Sequence, residues 1–277
     1  MTDPSDWPGP YRCAAVFSFD LDADQGWRRK AESNPEWDRP MVRTRGTFGP
    51  EVGVPRILDL FEEFDQQCTF FVPGKVAEEW PEVIKDIHGA GHEIGHHGYT
   101  HAYPATIGSE EEVAEFDQAM EVFDELLGER PVGYRCPGFD LSERTLDLIG
   151  SREILYDSSF IDNDAPYIRD TDGGKLVEIP VDWSLDDYTY FGFNMYPPVE
   201  PLSGITPTDE VFDSWRREFD GLRARSRCFT LTMHPQLSGR AGRVDALADL
   251  LEHIVETDDT WVTRARDVAA HWLETHA

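Results

Sequence analysis

Short apolar runs alternate with amphipathic stretches along the whole chain. "CAAVFSFDLD" (13–22) is apolar, aromatic-rich and ends in acids, which predicts a buried strand. "GVPRILDLFEEF" (53–64) spaces Ile57, Leu58, Phe61 and Phe64 along one face of a helix. "CTFFV" (68–72) predicts the next strand, "EEWPEVIKDIHGAG" a helix stopped by glycine, and "HEIGHH" a third strand. "SEEEVAEFDQAMEVFDELLG" (109–128) is the plainest helix, with Ser109 as its expected cap and acids in its first turn. Strand "PVGYRCP", helix "SERTLDLIG" and strand "LVEIPVDW" follow. A polar, Pro-rich excursion (186–208) leads to a helix around 209–224, the strand "CFTLTMHP" and a last helix (243–256).

Strands alternating with helices predict an α/β fold, a parallel sheet or barrel covered by helices. No internal repeat, low-complexity run or linker divides the sequence, so one domain over 1–277 is expected. Residues 25–53 interrupt the alternation as a long insertion with two tryptophans and six basic residues. The expectation is a surface loop that packs on the barrel or on a neighbouring subunit. The functional alternative is a lid over Asp20.

Composition narrows the partners. Twenty-five Lys and Arg stand against 54 Asp and Glu, a formal charge of −29 spread over the whole chain. Nucleic acid and anionic membranes would be repelled, so neither is expected as a partner. With 40% hydrophobic and 12% aromatic residues the chain can bury a core. No basic-then-apolar leader and no membrane-length apolar run is visible, and the four cysteines are scattered. These features predict a reduced, cytoplasmic setting. The acidic surface reads as adaptation to a salt-rich cytosol; the alternative is an ordinary acidic protein.

Polar clusters fall at predicted strand ends, where parallel α/β folds build their sites. Asp20 and Asp22 end the first strand, His97 the third with His101 four residues on, Arg135 the next, Asp182 and Trp183 the next, and His234 the last. Each alone has a plainer reading: a turn cap for either aspartate, surface neighbours for His97 and His101, an ion-pair partner for Arg135, a satisfied core histidine for His234. Asp182 could be that histidine's hydrogen-bonding mate and Trp183 core filling. His92 and His96 are read as strand or supporting residues. The common position of the others is the signal.

"FSFDLD", "HEIGHHGYTH", "GYRCPG", "IPVDW" and "LTMHP" resemble, in order, the five motifs of the polysaccharide deacetylases, the NodB-homology family. The resemblance spans about residues 13–270. "YDSSF", "VDWSLDDY" and "HPQLSGR" look like the branch that holds peptidoglycan-deacetylase-like proteins, allantoinases and cyclic imide hydrolases. It implies a distorted (β/α) barrel and a divalent metal, usually zinc, held by Asp22, His97 and His101. Asp20 would be the general base, kept ionised by Arg135. His234 would protonate the leaving amine, supported by Asp182. The ion, with a backbone N–H between Cys136 and Gly138, would stabilise the oxyanion.

Three features depart from the pattern. Leu21 separates Asp20 and Asp22, which are adjacent in the usual motif. Gly138 stands where an aromatic is common, with Phe139 as its substitute. The metal set is complete, unlike that of metal-independent allantoinases. The resemblance implies hydrolysis of a non-peptide carbon–nitrogen bond, in first place deacetylation of an N-acetylated saccharide. The alternatives are a cyclic amidase acting on a small ureide or imide, and an inactive saccharide-binding protein. The complete set of Asp20, Asp22, His97, His101, Arg135 and His234 argues against the last. Relatives in the branch imply a homo-oligomer, a tetramer.

The charge yields a test. A Debye length of about 8 Å at ordinary ionic strength falls to about 3 Å at molar salt, which relieves self-repulsion. The melting temperature should rise from low salt to molar KCl and follow ionic strength across chloride and sulfate. A flat response would defeat salt adaptation.

Overall fold

The structure is a computed structural model that describes residues 6–193 and 204–276. The middle of the Pro-rich excursion, 194–203, lies outside the described residues. β1 (Cys13–Asp20) is buried at all eight positions, as a strand covered on both faces must be. The insertion after it is helical rather than a loop. α1 (Gln25–Ser33), a 3-10 turn (Pro35–Trp37), α2 (Pro40–Phe48) and a π turn (Gly49–Gly53) run directly into α3 (Val54–Glu63). Prolines stand within the first two positions of the last four of these, where a missing N–H costs no helical bond.

β2 (Thr69–Val72), α4 (Gly74–Glu79), α5 (Pro81–Gly89), β3 (Glu93–His96) and α6 (Ser109–Leu127) follow. Pro81 divides the single helix expected there into α4 and α5. Ser109 is already helical and Gly108 occupies the cap position, so the serine cap is not formed. Next come β4 (Gly133–Tyr134), α7 (Thr145–Gly150), β5 (Tyr156–Asp157), the hairpin β6 (Tyr167–Thr171) and β7 (Gly174–Glu178), and α8 (Tyr188–Phe191). α9 (Thr208–Arg223), β8 (Cys228–Met233), α10 (Pro235–Ser238), α11 (Ala241–Val255), β9 (Thr260–Val262) and α12 (Ala265–His276) complete the described chain.

The strands form one curled sheet in the order β6-β7-β5-β4-β3-β2-β1-β8, a half-barrel that is parallel except between β6 and β7. One edge of β1 carries β8, from Ala14↔Cys228 to Phe19↔Met233. The other edge is shared, by β9 at Cys13–Ala15 and by β2 at Ser18–Asp20. The segment after β7 crosses back to β8, where Asp186 bridges Thr232. That crossing brings an acidic doublet to the end of β8.

Side chains alternate across the sheet with the period of two that strands impose. On β1, Phe17 and Phe19 pack outward with Phe61 and Phe70 beneath the helices. Ala14 and Val16 face inward with Phe71, Tyr156 and Trp272, and the same alternation turns Ser18 and Asp20 inward. On β8 it turns Phe229, Leu231 and Met233 outward and delivers His234 to the inner face.

The insertion is docked by close backbone contact. A Cβ at Gly46 would lie 2.5 Å from the Ala23 carbonyl oxygen and 2.6 Å from the Asp24 Cα. Gly46→Ala should therefore cost about 1–3 kcal/mol by overpacking, read from denaturant melts. An unchanged midpoint would mean that α2 does not rest on this turn.

Candidate active site

Asp20 is the last residue of β1, and Arg135 follows β4, whose His96↔Tyr134 pairing aligns it with β3. Arg135 is fully buried. Its Nη1 donates to Asp20 Oδ1 at 2.8 Å and to Ser18 Oγ at 2.9 Å. Its Nη2 donates to Ser158 Oγ at 3.0 Å and its Nε to the Ser158 carbonyl at 3.1 Å. The guanidinium lies 4.1 Å from the centre of the Phe71 ring. Burial alone would raise the Asp20 pKa, but Arg135, helped by His97 and His234, holds it below the usual carboxylate value.

His97 stands just past β3. Its Nδ1 donates to the Arg135 carbonyl at 2.7 Å, because a carbonyl can only accept. That fixes the tautomer and leaves the Nε2 lone pair facing the cavity. Nε2 of His97 and Nε2 of His101 each lie 3.5 Å from Asp22 Oδ1. That oxygen is buried and has no hydrogen-bond partner among the described residues. Burial pushes His97 down to about 4 and His101 well below its ordinary value, so both rings are neutral. Burial, partly offset by His234, pushes Asp22 up to about 8; a divalent cation against it would reverse that. An orphaned carboxylate oxygen facing two neutral imidazole nitrogens, with ligand atoms of all three residues within 4.8 Å of one another, fits a metal ion.

His234 is held differently. Its backbone N–H and the Ser238 hydroxyl donate to Asp187 Oδ2, and its Nδ1 lies 2.7 Å from Asp187 Oδ1. Burial would lower its pKa, but Asp187 and Asp186 raise it to about 10. The ring is thus an imidazolium whose Nε2 points toward Asp22 Oδ2 at 3.6 Å. Asp186, Asp187 and His234 also cluster within ligand distance, but the Asp187 carboxylate is spent on His234 and Ser238.

Asp182 does not support His234. It is exposed, and its Oδ1 accepts from the backbone N–H and hydroxyl of Ser184. The strand expected to end there stops at Glu178, and the turn Trp183–Leu185 carries the chain on so that Asp187 arrives instead. The acidic doublet in "SLDDY" was the available signal. Trp183 is also exposed rather than core, and sits edge-on to Phe139 at 4.9 Å. His92 and His96 are structural: His92 Nδ1 accepts from the Cys68 N–H, and His96 Nδ1 from the Gly98 N–H.

Asp20, Asp22, His97, His101 and His234 line a cavity of about 480 Å3 whose walls include Trp27 and Lys30 of α1, Tyr103, Phe139 and Tyr188. The insertion is therefore a wall of the site, and a Cβ on Gly26 would touch the His101 ring at 3.4 Å. Of the backbone donors expected near Cys136, the Cys136 N–H is taken by Ser159 Oγ and Pro137 has none. Gly138, at φ 62°, is the remaining donor of that stretch.

The His234 assignment sets the sign of a pH effect. Because its folded pKa of about 10 exceeds 6.5, the pair with Asp187 contributes stability fully below pH 6.5 and loses it as pH rises through about 10. In metal-free protein near neutral pH, Asp187→Asn should cost about 3–5 kcal/mol, with the gap closing in alkali. Asp182→Asn should stay within about 0.5 kcal/mol. Denaturant melts across pH check both, and equal losses would undo the assignment.

The family profile of the polysaccharide deacetylases matches residues 47–154. A peptidoglycan deacetylase from Helicobacter pylori is 30% identical over 90% of this chain and 92% of its own. A Mycobacterium smegmatis protein classed as a polysaccharide deacetylase has a crystal structure 36% identical to this chain, with a TM-score of 0.91 over 97% of this chain and 92% of that one. An allantoinase crystal structure is 26% identical, with a TM-score of 0.85 over 100% of this chain and 95% of that one. Sequence shared across nine-tenths of both chains, together with the curled parallel sheet, places this chain in the polysaccharide deacetylase family.

Proposed function

We propose that the protein is a metal-dependent hydrolase of a non-peptide carbon–nitrogen bond, acting on a small N-acetylated saccharide. The observation that carries the reading is the neutral pair His97 and His101 facing Asp22, flanked by an ionised Asp20 and a protonated His234. Asp22, His97 and His101 would hold the ion, zinc being the usual choice for this donor set. Such an ion supplies Lewis acidity toward water and the amide carbonyl. Asp20 takes the proton of the attacking water, and Arg135 keeps it ionised and aimed. The Gly138 N–H is the chain's own donor for the oxyanion. His234 delivers a proton from Nε2 to the departing nitrogen, with Asp187 favouring the charged form.

Two observations favour a small substrate over a polymer. The cavity has the volume of a small-molecule site, and α1 walls one side of it. Among the described residues no helix is long and apolar enough to cross a membrane, and a cytoplasmic location with small substrates belongs to this proposal. The second reading, a cyclic amidase, is favoured by the allantoinase likeness along the full chain. Assembly into a homo-oligomer is part of the same reading by family likeness.

Purified protein should carry close to one divalent ion per chain, lost in the His97→Ala/His101→Ala double variant. Asp20→Asn should keep the ion yet lose about 10²–10⁴-fold in turnover, assayed on acetylated sugars, ureides and imides. Full metal in the double variant, or full activity in Asp20→Asn, would reject the scheme.

A further inference from the structure

Lys30 is a half-buried cation in a protein crowded with acids. Among the described residues its Nζ makes no hydrogen bond and no ion pair. The chain has only four lysines. Lys75 and Lys85 are paired on the surface with Glu78 and Glu82, at 2.8 and 2.9 Å. Lys30 instead lines the active cavity from α1, one turn beyond Gly26, where an added Cβ would meet the His101 ring. Burial lowers its pKa, and the charge it feels in return is that of Asp22.

A half-buried ammonium with no hydrogen-bond acceptor costs free energy until an anion or water supplies one. Asp20, Asp22, His97, His101 and His234 of the cavity have work in the proposed reaction. With Asp22 bound to a metal ion, the one carboxylate whose charge Lys30 feels would be engaged elsewhere. Long-range attraction cannot select an anion for this molecule, because a net charge of −29 repels anions. Selection must come from a contact inside the cavity. One ammonium among Asp20, Asp22, Asp140 and Asp186 suits a singly charged carboxylate better than a phosphate.

We propose that Lys30 binds a carboxylate on the substrate, so that the preferred substrates are anionic amides. This rests on the amide-hydrolase reading and narrows it: the hydrolysed molecule carries a carboxylate within reach of α1 while its amide lies against Asp22, His97 and His101. Lys30 is then a specificity residue, outside the bond-breaking steps.

The test uses matched amides differing by one carboxylate, on metal-loaded protein. N-acetylglucosamine is compared with its 3-O-lactyl ether, N-acetylmuramic acid, and hydantoin with a carboxymethylhydantoin. The native protein should favour the acid member of at least one pair in kcat/KM. Lys30→Met should reduce that preference about 10- to 100-fold, the value of a charged hydrogen bond, mainly through KM. Lys30→Arg should retain most of it, and Lys30→Glu should reverse it. A native preference for the neutral member, or an unchanged preference in Lys30→Met, overturns the proposal. So does an equal loss of kcat on both members, which would make Lys30 a counter-charge of Asp22. If the native protein hydrolyses none of the four, the amide-hydrolase reading falls, and calorimetry with the same pairs decides Lys30 separately. Tighter binding of an acid member, lost in Lys30→Met, upholds the assignment; no such preference overturns it.

Discussion

The site depends on one buried arginine. Removing a guanidinium from water costs several kcal/mol unless its donors are met, and Arg135 has no access to solvent. Its acceptors come from two separate strands' worth of chain: Ser18 and Asp20 on β1, and Ser158 just past β5. The Phe71 ring of β2 covers its face. The same residue's carbonyl orients His97. A single position therefore ties the general-base candidate and a metal-ligand candidate to one rigid point, and any shift of β4 would disturb both.

Two acids beside the same cavity are thereby driven apart. Asp20 and Asp22 are two residues apart and both buried, yet Arg135 holds one ionised while burial favours protonation of the other unless a cation arrives. His234 is driven the opposite way from His97, although both are buried imidazoles, because Asp187 meets one and a neutral carbonyl meets the other. Opposed environments for like residues are how a hydrolytic site obtains an acid and a base at one pH.

Much of this was legible in the sequence. The alternation in "CAAVFSFD" and "CFTLTMH" marks which side chains face inward, and Asp20 and His234 fall on that face without further information. The two-residue strand β5 is too short to leave a period. The helices of the insertion are hidden because α1 is strongly polar, "QGWRRKAES", and α2 carries a glycine, Gly46, in its interior. Asp182 stands where a strand through "IPVDW" would end, but that strand stops at Glu178. Only the path of the turn between Asp182 and Asp187 decides which carboxylate meets His234. Lys30 carries no motif, and its place in the cavity follows from the helical fold of α1.

The central claim is that Arg135 reserves Asp20 for proton transfer while Asp22, His97 and His101 bind the ion. Anomalous diffraction from crystals of zinc-loaded protein tests this most directly. The account predicts one anomalous peak contacted by Asp22, His97 and His101, with Asp20 still paired to Arg135. A peak held instead by Asp186, Asp187 and His234, or one that draws Asp20 away from Arg135 into its coordination, would contradict it.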